Sequence, residues 1–132
     1  MNTISKTKIQ IEKVQNSKLP LVDFGNIQFG KIFSDHMFMA DYKNGEWQDL
    51  KILPFAPIEL SPSCSALHYW QAVFEGMKAY KNSKNEIMLF RPFDNAKRIN
   101  TSAKRLCMPE IPEELFIDAI KQLVEIDADW VP

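Results

Sequence analysis

A chain of 132 residues, 45% apolar and 25% charged, is sized for one globular domain with a core of its own. Its net charge of −1 at pH 7 supplies no global field toward nucleic acid or anionic lipid, so neither is expected as a partner. No apolar run nears the roughly 20 residues of a membrane span, and Met1 to Lys18 lacks the apolar stretch of a signal peptide. Cys64 and Cys107 stand alone, with neither a CxxC pair nor neighbouring histidines, which argues against a disulfide framework and a zinc site. A reducing cytoplasm is the expected compartment.

Ile9, Ile11 and Val14 lie in a short polar-rich stretch that fits an edge strand. Leu19-Pro20 and Gly25-Asn26 then break the chain. Phe33 to Tyr42 reads as a strand, Lys43-Asn44-Gly45 as a tight hairpin turn, and Trp47 to Leu53 as the returning strand. Pro54, Pro57 and Pro62 hold an extended segment that no helix accommodates. A second hairpin is expected from Met77–Tyr80 and Glu86–Phe90, joined by residues 81–85. Pro92 suits the first turn of a helix, where its missing N–H costs nothing. Phe93, Ala96, Ile99, Ala103 and Leu106 follow at helical spacing until Pro109. A last helix opens near Pro112, with Glu113 and Glu114 at the positive end of its dipole. Leu115, Phe116, Ala119, Ile120, Leu123 and Val124 supply its apolar stripe. Two hairpins without alternating βαβ order predict an α+β fold, an antiparallel sheet with helices on one side.

Charge is uneven along the chain. Between Lys78 and Arg105 eight Lys or Arg face only Glu86 and Asp94, whereas from Glu110 onward seven acidic residues face Lys121 alone. Solvated helix faces of opposite sign account for this pattern; a local anion site in the basic segment is the sharper alternative. Asn95, Arg98, Ser102 and Arg105 recur on one polar face opposite Phe93, Ala96, Ile99 and Ala103. Arg98 is the candidate there, because a guanidinium offers a rigid fork of donors that never loses its charge. Ser34-Asp35-His36 holds the residue types of a hydrolase triad, but strand neighbours point to opposite faces and cannot converge. Hydrogen bonding at a strand end is the better reading, and His36 and His68 are expected to be structural. Tyr69 and Phe74 sit five positions apart, a poor helical spacing for one face, and Tyr69 adds a polar handle to its ring.

The run His68-Tyr69-Trp70-Gln71-Ala72-Val73-Phe74-Glu75-Gly76-Met77-Lys78-Ala79-Tyr80, followed by Leu89-Phe90-Arg91-Pro92-Phe93-Asp94-Asn95-Ala96-Lys97-Arg98, resembles the branched-chain amino acid aminotransferases. These are pyridoxal 5′-phosphate (PLP) enzymes of the class that includes the D-amino acid aminotransferases. Phe33-Ser34-Asp35-His36-Met37, Leu106-Cys107-Met108-Pro109 and Asp127-Ala128-Asp129-Trp130-Val131-Pro132 look like further family segments. The likeness runs from about Phe29 to Pro132. It implies an N-terminal extension over residues 1–28, a small α+β domain over residues 29–132, and a second domain, absent from this chain, that carries the PLP lysine.

By the same resemblance Arg98 contacts the cofactor phosphate, while Phe29, Tyr69 and Phe74 wall the pocket for the substrate side chain. The implied reaction moves the amino group of Leu, Ile or Val to 2-oxoglutarate, giving the 2-oxo acid and glutamate, in a homodimer. No catalytic residue is assigned within the chain. Lys97 and Lys104 flank Arg98 without being promoted to the reactive lysine, and the chain alone is expected to be inactive. Trp70 departs from the family, which often has a smaller residue there. A D-amino acid aminotransferase, a related PLP lyase, and a stand-alone non-catalytic binding domain remain as alternatives.

Overall fold

In the computed structural model, which describes residues 8–132, Asn44 and Gly45 take φ angles of 55° and 85°. That is the paired left-handed backbone of a two-residue type I′ turn, and it sets the register of the strands on either side. Strand β2 (His36–Lys43) and strand β3 (Glu46–Pro54) pair antiparallel from Lys43↔Glu46 to His36↔Pro54. Opposite Ala40 the register shifts, with Met39 facing Lys51 and Asp41 facing Gln48. The extra β3 residue is accommodated by Asp49 at φ 53°, a left-handed bulge position that aspartate tolerates better than most residues.

Strand β1 (Gln10–Ile11) joins the far side of β3 in parallel, against Lys51 and Ile52, giving the order β1-β3-β2. Leu50 and Ile52 alternate with exposed Asp49 and Lys51, and Ile52 is fully buried. The strand expected from Phe33 begins instead at His36. Pro54 has no N–H to extend the ladder past its pair with His36, and the next N–H, that of Phe55, donates to the Asp35 carbonyl at 2.8 Å. Phe33 stacks on Phe55 beyond the sheet, with ring centroids 4.7 Å apart.

These strands belong to one of two compact units, formed by the residues up to Phe55 together with Ala119–Pro132; Ala56–Asp118 form the other. Residue 28, the boundary suggested by the sequence, falls within the first unit. The breaks expected at Leu19-Pro20 and Gly25-Asn26 are 3-10 turns, Leu19–Leu21 and Phe24–Asn26. A third such turn spans Ala128–Trp130.

The second unit opens with an unforeseen short helix, α1 (Ser65–Tyr69). Its hairpin, β4 (Ala79–Lys81) and β5 (Ile87–Leu89), is shorter than the apolar residues suggest. Asn82 organises the turn that joins them: its N–H donates to the Glu86 carbonyl at 3.0 Å, and its side-chain oxygen accepts from the N–H groups of Lys84 and Glu86, both at 2.9 Å. Helix α2 (Pro92–Arg105) starts on Pro92 as expected. It ends in a Schellman arrangement, with Met108 N–H bonded to Ala103 O, Cys107 N–H to Lys104 O, and Cys107 in the left-handed position at φ 54°.

Helix α3 (Glu113–Ile126) crosses the division between the units. Its apolar arc is wider than the expected stripe: Ile117 and Ala119 are buried, while Leu115, Phe116, Ile120, Leu123 and Val124 are only half-buried. The α+β class and its mainly antiparallel strand pairing therefore stand, with the two-residue β1 as the parallel exception. The strands form a mixed three-stranded sheet in one unit and a two-stranded hairpin in the other. No helix among the described residues is long and apolar enough to cross a membrane.

Candidate anion-binding site

Helix α2 buries Ala96 and Ala103, small residues that permit close packing, and so turns Asn95, Arg98 and Ser102 the other way. Phe93 and Leu106, expected on the packed face, are instead largely exposed at the two ends of the helix. Arg98 meets Glu75 in a two-point fork: Nε donates to Oε2 at 2.7 Å, and Nη2 donates to Oε1. Asn95 Nδ2 also donates to Oε1, at 2.9 Å, and to the Gly76 carbonyl at 3.0 Å. The Gly76 N–H completes the set at 2.9 Å from Oε1.

The two partners differ in exposure. The Glu75 side chain is 6% exposed and that of Arg98 is 67% exposed. The Arg98 donors, with those of Asn95 and Gly76, outweigh burial and hold the Glu75 carboxyl down at about 2. The hydrogen bonds to Glu75, and then its negative charge, raise the Arg98 pKa in turn. The pair is thus ionised, anchored from its buried end and open at the other.

The open end gives onto a cleft of about 570 Å³ lined by Gly76, Lys78, Tyr80, Phe90, Arg91 and Arg98, among others. Arg91 precedes the helix in a left-handed conformation (φ 48°), and its Nε bonds Asp94 one turn on. The cleft therefore combines basic side chains and aromatic surface with one carboxylate, that of Asp94, which is paired with Arg91.

Of the residues singled out in the sequence, Arg98 lines this cleft. Tyr69 closes α1 and Phe74 follows it; both rings are exposed and neither lines the cleft. The Phe74 ring does lie about 3.6 Å from where a Cβ on Gly76 would stand, so it flanks a cleft residue. Phe29 is fully exposed in the other unit. Trp70 stands at the end of α1 with φ 54° and is 84% exposed, a backbone state that bulky side chains rarely adopt. Glu75 lies in the run that carries the resemblance but was given no role there, and it stands 23 positions ahead of its partner.

The Ser34-Asp35-His36 triplet does not converge. Ser34 Oγ reaches only the His36 carbonyl, at 3.5 Å. Val14 N–H donates to His36 Nε2 at 3.1 Å, so that nitrogen must accept and Nδ1 carries the proton toward Asp127 Oδ1 at 2.6 Å. Asp35 accepts from Ser17 Oγ at 2.5 Å, Lys18 N–H at 2.9 Å and Trp130 Nε1 at 3.0 Å. Burial alone would raise the Asp35 carboxyl, yet these donors hold it below its ordinary value. His68 Nε2 donates to the Pro62 carbonyl at 2.5 Å. The imidazole of His36 is thus used on both nitrogens in a buried network, while exposed His68 makes this one bond within its own loop. Among the described residues no group of three His, Cys, Asp or Glu is placed to hold a metal ion.

No family model matches the chain. Individual proteins do. It is 49% identical over 126 residues to a probable branched-chain-amino-acid aminotransferase of Staphylococcus epidermidis, covering 95% of this chain and 35% of that protein. Identity to branched-chain-amino-acid aminotransferase 2 of Bacillus subtilis is 42% over 130 residues, or 98% of this chain and 36% of the relative. A branched-chain-amino-acid aminotransferase of Mycolicibacterium smegmatis matches at 47% over 108 residues, 81% of this chain and 29% of its own length. The chain is by sequence a relative of the branched-chain-amino-acid aminotransferases, and it spans about a third of the length of those it matches.

Proposed function

We propose that this chain supplies the phosphate-gripping part of a PLP-dependent transaminase that moves the amino group of Leu, Ile or Val to 2-oxoglutarate. The observation that carries this is the Glu75–Arg98 fork, set on a cleft in a chain whose relatives are branched-chain aminotransferases. The donor chemistry fits a phosphate. With Nε and one Nη2 hydrogen committed to Glu75, the guanidinium keeps further donors for a ligand in the cleft that Arg98 lines with Tyr80 and Phe90. Bound there, PLP would supply the electron sink for amino-group transfer. The residues of this chain bind and orient it.

Phe29, Tyr69 and Phe74 are proposed as walls of the substrate side-chain pocket. An aromatic wall favours branched aliphatic chains by burying methyl groups, at about 0.8 kcal/mol per methylene. Such a pocket separates near neighbours only modestly, so one site accepts all three amino acids. The lysine that bonds PLP lies, on the family pattern, outside these residues, so the 132-residue chain alone is proposed to be inactive. A homodimer belongs to the same proposal. Cys64 and Cys107, both free thiols, fit the reducing cytoplasm to which we assign it.

The test is amino transfer from leucine, isoleucine and valine to 2-oxoglutarate by the protein translated to its natural stop codon, with PLP added. Exchange with all three is expected. Exchange with D-amino acids only, or with none, would overturn the reading.

A further inference from the structure

Arg98 is held before any ligand arrives, and the group that holds it is the better-anchored of the two. The Glu75 carboxylate collects donors from Arg98, Asn95 and Gly76, is almost wholly buried, and sits beside a carbonyl that Asn95 also binds. An exposed arginine normally gives up rotamer freedom when it closes on an anion. One already pinned along its Nε–Nη2 edge gives up less. Resting on the reading of Arg98 as a phosphate ligand, we propose that Glu75 is its positioning residue: the buried carboxylate locks the guanidinium and leaves its remaining N–H groups fixed at the cleft for an anionic group.

Two effects of Glu75 oppose each other. Its charge cancels that of Arg98 and weakens the attraction of an anion, while its geometry removes the cost of ordering the fork. At a side chain as exposed as Arg98 water screens the charge effect, whereas the two-point fixation persists. Geometry therefore wins, and this fixes the sign of the test. Loss of the carboxylate should weaken anion binding even though it makes the site more positive.

The measurement is the affinity of the PLP-free protein, translated to its natural stop codon, for inorganic phosphate by titration calorimetry, with water exchange of the Arg98 Nε–H followed by NMR. Glu75→Gln, which keeps the shape and loses the charge, should bind phosphate about tenfold more weakly and expose the Nε–H to faster exchange. Glu75→Asp, which keeps the charge and shortens the reach, should weaken binding too, and it serves if the glutamine variant does not fold. Unchanged or tighter binding by Glu75→Gln, or wild-type binding by Glu75→Asp, would overturn the positioning role while leaving Arg98 as a ligand. Undiminished binding by Arg98→Ala, or no saturable binding by the wild type, would instead sink the anion site itself and the positioning role with it.

Discussion

Two networks of this chain are built on buried carboxylates, Asp35 and Asp127 in one and Glu75 in the other, yet they do different things. In the first unit, Asp35 and Asp127 gather Ser17, Lys18, Trp130 and both ends of His36, and every one of these carboxylate and imidazole groups is buried. The imidazole is spent on both nitrogens, on Val14 and on Asp127. In the second unit, Glu75 is equally sunk, but its main partner, Arg98, reaches out to a cleft with donors to spare. A closed network stabilises; an open one offers a grip. The difference lies in the partner, because arginine has more donors than one carboxylate can use and histidine does not.

The largest expected effect breaks the closed network. Asp127→Ala would leave the His36 N–H and Nδ1–H unpaired in a buried site, at a cost of about 3 kcal/mol, read as a lowered urea midpoint. Arg98→Ala should lower that midpoint too, because it leaves the buried Glu75 carboxylate to Asn95 and Gly76, but it should also weaken ligand binding, which Asp127→Ala should not. Equal loss of ligand binding in the two variants would erase the contrast.

A substitution of intermediate effect attacks the support under the open network. Ala96 is fully buried one residue from Asn95, so Ala96→Leu should overpack the helix and cost about 2 kcal/mol, again read from the urea midpoint. At Trp70 the sign reverses. Its exposed ring sits on a left-handed backbone, so Trp70→Gly should raise stability by about 1 kcal/mol by relieving the strain. A melting temperature that falls would show that the ring packs after all.

The most graded effect is acid dependence. The Asp35 and Glu75 carboxyls are both depressed in the folded chain, Glu75 to about 2, from ordinary values of 3.8 and 4.5. A depressed carboxyl contributes stability that is present above its ordinary value and lost as pH falls through its folded one. Stability should therefore be level from neutrality down to about pH 5, then decline, with the Glu75 share still being lost near pH 2. In Glu75→Gln that last part of the decline should disappear from urea midpoints measured across the range.

Local chemistry was legible in the sequence. Asn44-Gly45 specified its turn, Pro92 its helix start, and the Ala96–Ala103 spacing the buried face of α2. Pairings across long separations were not. His36 and Asp127 stand 91 positions apart, and nothing near either names the other. The same holds for Arg98 and Glu75, so the arginine was visible as a candidate while the carboxylate that holds it was not. The parallel addition of β1 was hidden for a similar reason, since a two-residue strand carries too little pattern to reveal its partner. The short α1 lay in a proline-flanked stretch that reads as loop, and Trp70 at its end gave no glycine-like signal of the left-handed turn.

The most direct test of the open network is the PLP concentration that half-saturates leucine–2-oxoglutarate exchange, measured for the natural-length protein and its Arg98→Ala variant. We expect the variant to need at least about tenfold more PLP and to recover most of its rate when PLP is in excess, as the loss of one charge-assisted grip requires. An unchanged PLP requirement in an active variant would contradict the assignment of Arg98 to the phosphate.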